Sequence, residues 1–481
     1  MSTIKNTKNI LQSNPLTSDE QYSKERDAFL FQIGFDFGTS SSKVVIRDVN
    51  IDKAWVFRHS DVDNISSILI PSVVLFHGDT FMIHDSISTL YPPNGLYHLK
   101  VALEKVALGK LDNPILLEYK KIIGENYKYS QSEITKMATI FFLSLWLKKI
   151  VAHIKERYPD YGNVKEDLIC VNMAIPVENI CNENVRELFR SILSIAWELK
   201  SEQIIDNRIN IDKLYKDISR IQSCHSAKNE FCQVYPEVSA NIQAFINSPA
   251  SSPDQTTIYF FTDVGAGTID QSVFTYAGQE GERKVNYFAG KVFLHGSRTI
   301  EINACRGNTT AQNLEHWRRI KENPNNKKII AAKNIVRSAV YRDSQKTLRE
   351  TKKCLPEGNG ISKQKTLREK VKFIFSGGGF TSSPYEHGVI DAYKYVALAN
   401  HDPIVASMPY PKNLELPEKF KRYITRLYVA YGLSFLFDDL VQYSSPSENR
   451  ILQTNSAKNR KCSCRGMNKN CIKCSGTGII S

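Results

Sequence analysis

Two stretches of this sequence combine residue types that can bind a phosphate and a divalent cation. The first, DFGTSSSK at 36–43, lies between two apolar runs and predicts a pair of strands joined by a tight turn. A turn that contains Gly38, Thr39 and Ser40 presents successive backbone N–H groups and hydroxyls, which together can cradle a phosphate. Asp36 ends the first strand, where its carboxylate can hold a hydrated Mg²⁺ against that phosphate.

The second stretch, DVGAGTID at 263–270, repeats this pattern in the other half of the chain. An apolar strand at 258–261 leads into Asp263, and a further strand begins at 272. The turn between the two strands consists of Gly265, Ala266, Gly267 and Thr268. Two such units predict a duplicated phosphate-binding hairpin, with one copy in each half of the chain.

A third glycine-rich stretch, SGGG at 376–379, follows a predicted strand at 371–375. Gly377 and Gly378 would let the backbone approach a flat ligand very closely, because glycine has no Cβ atom. This stretch is therefore a candidate contact for the planar part of a bound molecule.

Four cysteines near the C-terminus have the spacing of metal ligands. Cys462 and Cys464 form a CxC pair, and Cys471 and Cys474 form a CxxC pair. Nearby glycines allow backbone amides to turn toward the sulfur atoms, and Zn²⁺ is the natural occupant of a tetrahedral four-thiolate site. The sequence therefore predicts a zinc knuckle, and the alternative is a tail with reduced cysteines.

The positive charge of the chain is local. The net charge is +13, and residues 315–372 hold 17 Lys and Arg against 6 Asp and Glu. Residues 451–481 hold 6 Lys and Arg and no acidic residue. Such segments are often solvated surfaces, but their charge makes nucleic acid a possible partner, beside an expected and unidentified protein partner.

The composition indicates a globular, cytoplasmic protein. The stretch 1–28 is polar and has no apolar core of a secretory signal. The most apolar run, 138–147, is too short to span a bilayer, so no membrane partner is expected. Six further cysteines are scattered, which is typical of reduced thiols rather than of a disulfide framework. His84, His98 and His295 form no metal-ligand spacing and are interpreted as structural.

Helices and strands alternate around these motifs. Ser130 and Glu133 form a capping-box pattern that begins a long apolar helix, predicted to run to about 158. A strand at 168–175 follows, and further helices are predicted over 182–200, 236–246, the basic segment and 426–437. Residues 201–230 are interpreted as an irregular insertion. Strand, helix and strand in this order predict α/β layering.

The motifs DFGTSSSK, DVGAGTID and FSGGGF resemble the phosphate-1, phosphate-2 and adenosine motifs of the actin/DnaK/hexokinase superfamily of ATPases. They occur in that family's order and span about 30–442 of this chain. PSVVLF at 71–76 and VAYG at 429–432 make the chain most similar to DnaK-type chaperones. The resemblance implies a two-lobed actin-like ATPase fold, in which duplicated ribonuclease-H-like domains enclose a central nucleotide cleft. The CxxCxGxG that begins at Cys471 resembles the repeat of J-domain co-chaperones.

The resemblance also implies a division of the chain. The expected parts are a polar tail at 1–28, a first ATPase lobe at 29–257 with the insertion at 201–230, a second lobe at 258–442 with a basic small subdomain at about 300–370, a linker at 443–460 and the zinc knuckle at 461–481.

Residue roles follow from the same resemblance. Asp36 and Asp263 would hold Mg²⁺ through water, and Thr39 and Ser40 would contact the terminal phosphates of ATP. Lys100 would lie near the γ-phosphate and the attacking water, and Glu237 would position the Mg²⁺ or the water. The remaining implied contacts are the phosphate loop Gly265, Ala266, Gly267 and Thr268, the adenosine glycines Gly377 and Gly378, and Pro176, which would relay the nucleotide state to the surface.

The chain also departs from the family. Thr381 and Ser382 stand where family members often place an arginine against the adenine, so the stacking residue is expected elsewhere or the base is bound more weakly. No β-sandwich pattern follows 442, so peptide-chaperone activity is not expected. The sequence therefore predicts an ATP-hydrolysing molecular switch. The alternatives are a small-molecule kinase of the same fold and an actin-like filament or nucleic-acid-binding scaffold.

Overall fold

The computed structural model describes most of the chain between Arg26 and Ser444, and two short strands beyond it. The described residues are 26–84, 92, 94–176, 182–201, 206–224, 229–247, 254–277, 284–354, 371–379, 384–398, 402–444, 460–461 and 479–480. Cys462, Cys464, Cys471 and Cys474, together with Thr381 and Ser382, lie outside the described residues.

The first half of the chain contains ten strands and six helices among its described residues. In chain order they are β1 (Leu30–Asp36), β2 (Ser41–Asp48), β3 (Lys53–Val56), β4 (Ile70–Pro71), β5 (Val73–His77), β6 (Thr80–Ile83), β7 (Gly95–Tyr97), α1 (Leu99–Ala107), α2 (Pro114–Ile123), α3 (Gln131–Arg157), β8 (Leu168–Ile175), α4 (Glu183–Leu199), β9 (Arg208–Asn210), α5 (Ile211–Cys224), β10 (Cys232–Pro236) and α6 (Glu237–Ile246).

The second half continues this alternation of strands and helices. Its described elements are β11 (Asp254–Val264), β12 (Ile269–Ala277), β13 (Lys284–Phe293), α7 (Arg298–Cys305), α8 (Ala311–Ile320), α9 (Lys327–Cys354), β14 (Val371–Ser376), α10 (Pro384–Val396), β15 (Ile404–Ala406), β16 (Leu414–Glu415), α11 (Tyr428–Leu433), β17 (Gln442–Ser444), β18 (Arg460–Lys461) and β19 (Ile479–Ile480). Three short 3₁₀ helices cover Ile65–Ile68, Glu418–Arg426 and Phe437–Asp439.

The two largest sheets share one plan. The first sheet has the strand order β10-β8-β1-β2-β3-β16, and the second has the order β15-β14-β11-β12-β13-β17. In each sheet the central strand pairs antiparallel with the strand that follows it, and parallel with a strand from farther along the chain. The hairpins β1–β2 and β11–β12 therefore occupy equivalent positions. The predicted α/β class is confirmed.

Two short helices fill the space between the two sheets. α11 packs on β1, β2 and β8 of the first sheet, and α6 packs on α11. The other side of α6 contributes Val238, Ile242 and Phe245 to a core shared with the second sheet. The approach is tight because two glycines lie at the contacts. A Cβ atom on Gly432 would overlap the carbonyl oxygen of Ala240, and one on Gly34 would overlap the carbonyl oxygen of Ala430.

Helix α3 is the long apolar helix predicted from the sequence. Its capping box is present, because the Ser130 side chain accepts from the backbone N–H of Glu133 and the Glu133 side chain accepts from that of Ser130. Among the described helices α3 alone is long and apolar enough to cross a membrane, and 72% of its most apolar window is buried inside the protein. Thr135, Thr139 and Ser144 lie in this interior and donate to the carbonyl one turn earlier, which satisfies their hydroxyls.

The structure differs from the sequence interpretation at four points. Residues 201–230 are not irregular, because they contain β9 and the amphipathic helix α5, which buries Leu214 and Ile218. The predicted helix at 426–437 is shorter, since α11 covers only Tyr428–Leu433. β16 lies within the stretch expected to belong to the second lobe but pairs with β3 of the first sheet. β17 likewise continues two residues past the expected boundary at 442.

Candidate functional site

A cleft of about 530 Å³ lies where the two hairpin turns face each other. Most of the site residues expected from the sequence line it, namely Asp36, Gly38, Thr39, Ser40, Lys100, Pro176, Glu237, Asp263, Gly265, Ala266, Thr268, Gly377 and Gly378. Gly267 lies beside them, because a Cβ atom at this position would be 3.2 Å from the methyl carbon of Thr39. The fold thus brings residues from distant parts of the sequence into one site.

The two hairpins place their carboxylates at equivalent positions. Asp36 is the last residue of β1 and pairs in register with Lys43 of β2. Asp263 is next to last in β11 and pairs in register with Asp270 of β12. Both aspartates lie at the ends of strands whose described side chains are almost all buried, so each carboxylate is held at the cleft by a packed strand. Asp270 belongs to the second motif, but no role was expected for it.

Four carboxylates crowd this part of the cleft. Asp36, Asp263 and Asp270 are each less than 10% exposed. Burial, together with the charges of Glu237 and Asp36, raises the pKa of Asp263 to about 7. Burial and the charges of Glu237 and Asp263 also raise the pKa of Asp270 well above its usual range. Such carboxylates are stabilised by a nearby cation, because the ionised forms repel one another in a desolvated space.

Two lysines partly balance these acids. The Lys43 ammonium lies 2.8 Å from Asp36 Oδ2. Lys100, in the first turn of α1, is almost fully buried and donates to Glu237, the first residue of α6. Burial lowers the pKa of Lys100, but the charges of Glu237 and Asp36 outweigh this effect and raise it. Lys100 is thus a fixed cation, and Lys43 is a second cation that the sequence interpretation missed.

The glycine stretch after β14 packs against the end of β11. The Gly379 N–H donates to the Val264 carbonyl at 2.8 Å. Gly377 has a φ of +90°, and a Cβ atom there would overlap the Asp263 carboxylate. Only glycine fits this position, because both the backbone conformation and the close approach exclude a side chain. The loop Gly265–Thr268 is held from the other side by N–H bonds from 296–298.

An arginine from an unexpected segment covers Gly378. Arg426 ends the 3₁₀ helix before α11, and its Nη2 donates to the Gly378 carbonyl at 3.3 Å. A Cβ atom on Gly378 would lie 3.2 Å from Arg426 Nε, so the guanidinium rests on the glycine backbone. Tyr423 lines the same end of the cleft. A guanidinium thus lies over this glycine stretch from the segment just before VAYG, far from it in sequence.

One polar contact joins the two sides of the cleft beside the turns. His98 precedes α1 in a left-handed conformation, and its Nε2 lies 2.5 Å from Nη1 of Arg298, the first residue of α7. Burial and the Arg298 charge lower the pKa of His98 to about 4, so the ring is neutral near pH 7 and accepts this bond. The backbone N–H of Arg298 also bonds the Ala266 carbonyl at 2.8 Å. His98 is therefore bonded to Arg298, which lines the cleft, although His98 itself is not a lining residue.

The side chains present suit a phosphate chain and a hydrated cation. Asp36 Oδ1 and Ser40 Oγ belong to residues that line the cleft, and both atoms are buried and have no hydrogen-bond partner among the described atoms. Such orphaned atoms are free to accept from metal-bound water or to donate to a phosphate oxygen. In the described part of the chain, no three acidic, His or Cys side chains form a preformed cage around one point. Mg²⁺ keeps several waters in most sites, so contacts through water fit this arrangement.

No protein-family model and no curated protein matches the sequence.

Proposed function

We propose that this chain is a Mg²⁺-dependent, ATP-hydrolysing molecular switch with a two-lobed actin-like fold. The shared strand order of the two sheets supports duplicated ribonuclease-H-like lobes. The packing of α6 and α11 between the sheets supports a hinge region below the cleft. The DnaK-like motifs at 36–43, 263–270 and 376–379 lie at one cleft, which is what the resemblance implies.

The observation that carries this proposal is the facing pair of hairpins. Each hairpin places a carboxylate at the end of a buried central strand and turns through small residues that line the cleft. Two opposed amide-rich turns can hold the phosphates of one nucleotide between them. The glycine stretch under Arg426 adds a flat platform at one end of the same cleft, of the shape that a base requires.

The chemistry expected here is phosphoryl transfer to water, which depends on positioning and charge neutralisation. Bound Mg²⁺ would neutralise charge on the β- and γ-phosphates. Asp36 and Asp263 would hold its water ligands from the two hairpins, while Thr39, Ser40 and the loop Gly265–Thr268 would fix the phosphate oxygens. Lys100 would stabilise charge on the terminal phosphate. Glu237, already bonded to Lys100, would orient the attacking water.

A switch requires that the nucleotide hold the two lobes together. ATP between the hairpins would add contacts across the cleft to those made by His98 with Arg298 and by Thr39 with Gly267. Loss of the terminal phosphate would remove the contacts that close the lobes. Pro176 lies at the cleft wall directly after β8, so its position supports the proposed relay of this change to the surface.

The zinc knuckle and a cytoplasmic location are parts of this proposal. The four cysteines lie between β18 and β19, which pair antiparallel through Arg460 with Ile480 and Lys461 with Ile479. This pairing brings the two ends of the cysteine segment together, which supports a compact Zn²⁺ site. A protein partner would be regulated through the lobe movement.

The first test concerns the base platform. Arg426→Ala should weaken the binding of ATP with Mg²⁺ by about 10- to 100-fold, because one stacked base is worth about 1–3 kcal/mol. The rate of hydrolysis at saturating ATP should change little, because Arg426 is proposed to contact the base and not the phosphates. Isothermal titration calorimetry measures the affinity, and release of inorganic phosphate without any added acceptor measures the rate.

Lys421→Ala is the matched control, since Lys421 is an exposed cation of the same 3₁₀ helix and pairs with Glu418. It should leave the affinity unchanged. Equal affinities of the Arg426→Ala variant and the wild type would remove Arg426 from the site. No binding of ATP by the wild type would contradict the proposed function itself.

A further inference from the structure

Helix α9 carries a stripe of basic side chains on its exposed face. Arg342, Lys346, Arg349 and Lys353 follow one another at intervals of four, three and four residues, which places them on one side of a helix. All four are exposed. With a rise of about 1.5 Å per residue, the stripe is roughly 16 Å long and presents one cation about every 5 Å. We define these four residues as the α9 stripe.

The acids of α9 pair with only one of the four stripe residues. Asp343 is buried and pairs with Lys346, and Glu350 pairs with Lys291 of β13. Among the described residues, no carboxylate lies within ion-pair distance of Arg342, Arg349 or Lys353. The inner face of the helix packs on α7, α10 and β13, so the stripe stays in solvent in the folded chain. The stripe thus presents at least three positive charges that no described carboxylate of the chain neutralises, so a negatively charged partner could pair with them.

An exposed aromatic ring lies near the Arg342 end of the stripe. Tyr395 of α10 is 65% exposed, the most exposed of the described aromatic side chains. Its ring contacts that of Tyr341, which directly precedes Arg342, with ring centroids 6.1 Å apart and an edge-to-face arrangement. A large ring held in solvent against a second ring is a platform on which another flat group can stack.

The combination of cations and rings favours one class of partner. An acidic protein segment would complement the charges of the stripe, but it would leave the exposed ring of Tyr395 without a specific role. A single strand of nucleic acid offers a row of phosphates for the stripe and unpaired bases that stack on aromatic side chains. A duplex would not serve as well, because its bases are already stacked and paired.

We propose that the α9 stripe and Tyr395 bind single-stranded nucleic acid, with phosphates along Arg342, Arg349 and Lys353 and a base on Tyr395. This surface is separate from the cleft, since none of its residues lines the ATP site. The proposal does not depend on ATP hydrolysis.

The test uses the full chain and fluorescein-labelled oligothymidylate and oligouridylate, with binding measured by fluorescence anisotropy. The wild type should bind at least one of the two, with an affinity that falls as salt rises. The triple variant Arg342→Gln, Arg349→Gln, Lys353→Gln should bind about tenfold more weakly or worse. In a plot of the logarithm of the binding constant against the logarithm of the salt concentration, the slope should become less steep by about two. Three phosphate contacts are lost, and each contributes roughly 0.7 to the slope. Tyr395→Ala should weaken binding roughly tenfold while leaving the salt slope unchanged.

The control is Lys110→Gln, Lys120→Gln, Lys121→Gln, which removes the same charge from exposed lysines near α2. It should bind as the wild type does. Equal binding by the two triple variants would overturn the proposal, because only net charge would then matter. Binding of labelled polyglutamate instead of either oligonucleotide would also overturn it and assign the stripe to an acidic protein. The midpoint of thermal unfolding should be unchanged in all these variants, which confirms that they fold.

Discussion

Asp263→Asn should lower the rate of Mg²⁺-dependent ATP hydrolysis about a thousandfold while leaving the protein at least as stable as the wild type. The activity falls because the carboxylate from the second hairpin no longer attracts the hydrated cation, a loss of several kcal/mol in the transition state. The stability does not fall, because burial and the charges of Glu237 and Asp36 already disfavour the ionised form and raise the pKa of Asp263 to about 7. An amide removes that electrostatic penalty.

The amide can also keep the local hydrogen bond. Asn241 Nδ2 donates to Asp263 Oδ2 at 3.1 Å, and the carbonyl oxygen of an asparagine side chain can accept the same bond. In this one variant the midpoint of thermal unfolding should therefore be no lower than that of the wild type, while the rate of phosphate release falls. Asp112→Asn, at an exposed loop position, is the control and should change neither. Undiminished hydrolysis in both Asp263→Asn and Asp36→Asn would remove the two hairpins from the catalytic site.

Gly432→Ala should destabilise the protein by about 3 kcal/mol or more, and its midpoint of thermal unfolding should fall by roughly 6–12 °C. The added methyl group would overlap the carbonyl oxygen of Ala240, so α11 and α6 must move apart. Backbone atoms on both sides of the contact leave no side chain that could rotate away. Because α6 begins with Glu237 and α11 packs on β1, the same displacement should also disturb the cleft.

Gly109→Ala separates this steric effect from the loss of a glycine as such. Gly109 has a φ of +68°, and a Cβ atom added there would meet no neighbouring atom within 4 Å, so its replacement involves backbone strain only. Gly109→Ala should lower the free energy of unfolding by about 1–2 kcal/mol. A midpoint for Gly432→Ala no lower than that for Gly109→Ala would show that α6 and α11 do not meet as closely as described.

The hairpins could be predicted from the sequence because their signals are local. An apolar run, an aspartate, a turn of small residues and a second apolar run specify strand, turn and strand without reference to the rest of the chain. The capping box of α3 is equally local, and both its hydrogen bonds are present. The register could not be predicted, so the sequence did not show that Lys43 lies opposite Asp36 or that Asp270 lies opposite Asp263.

The features missed by the sequence interpretation depend on contacts between distant residues. Helix α5 was overlooked because polar residues outnumber the apolar ones that it buries, although Leu214, Ile218 and Ile221 keep a helical spacing. Arg426 reaches Gly378 across 48 positions, and Arg298 reaches His98 across 200. Neither pair has a local signal. Arg426 could have been considered only because it lies just before the VAYG motif.

The measurement that tests the central claim most directly is hydrogen exchange of the full chain with and without ATP and Mg²⁺, read out by mass spectrometry. One nucleotide bound between the hairpins should slow the exchange of backbone amide hydrogens in four segments at once, namely 36–43, 263–270, 376–379 and 423–426. The Asp263→Asn variant should lose this protection at the same ATP concentration. Protection of only one hairpin, or protection confined to other parts of the chain, would contradict a shared ATP site in this cleft.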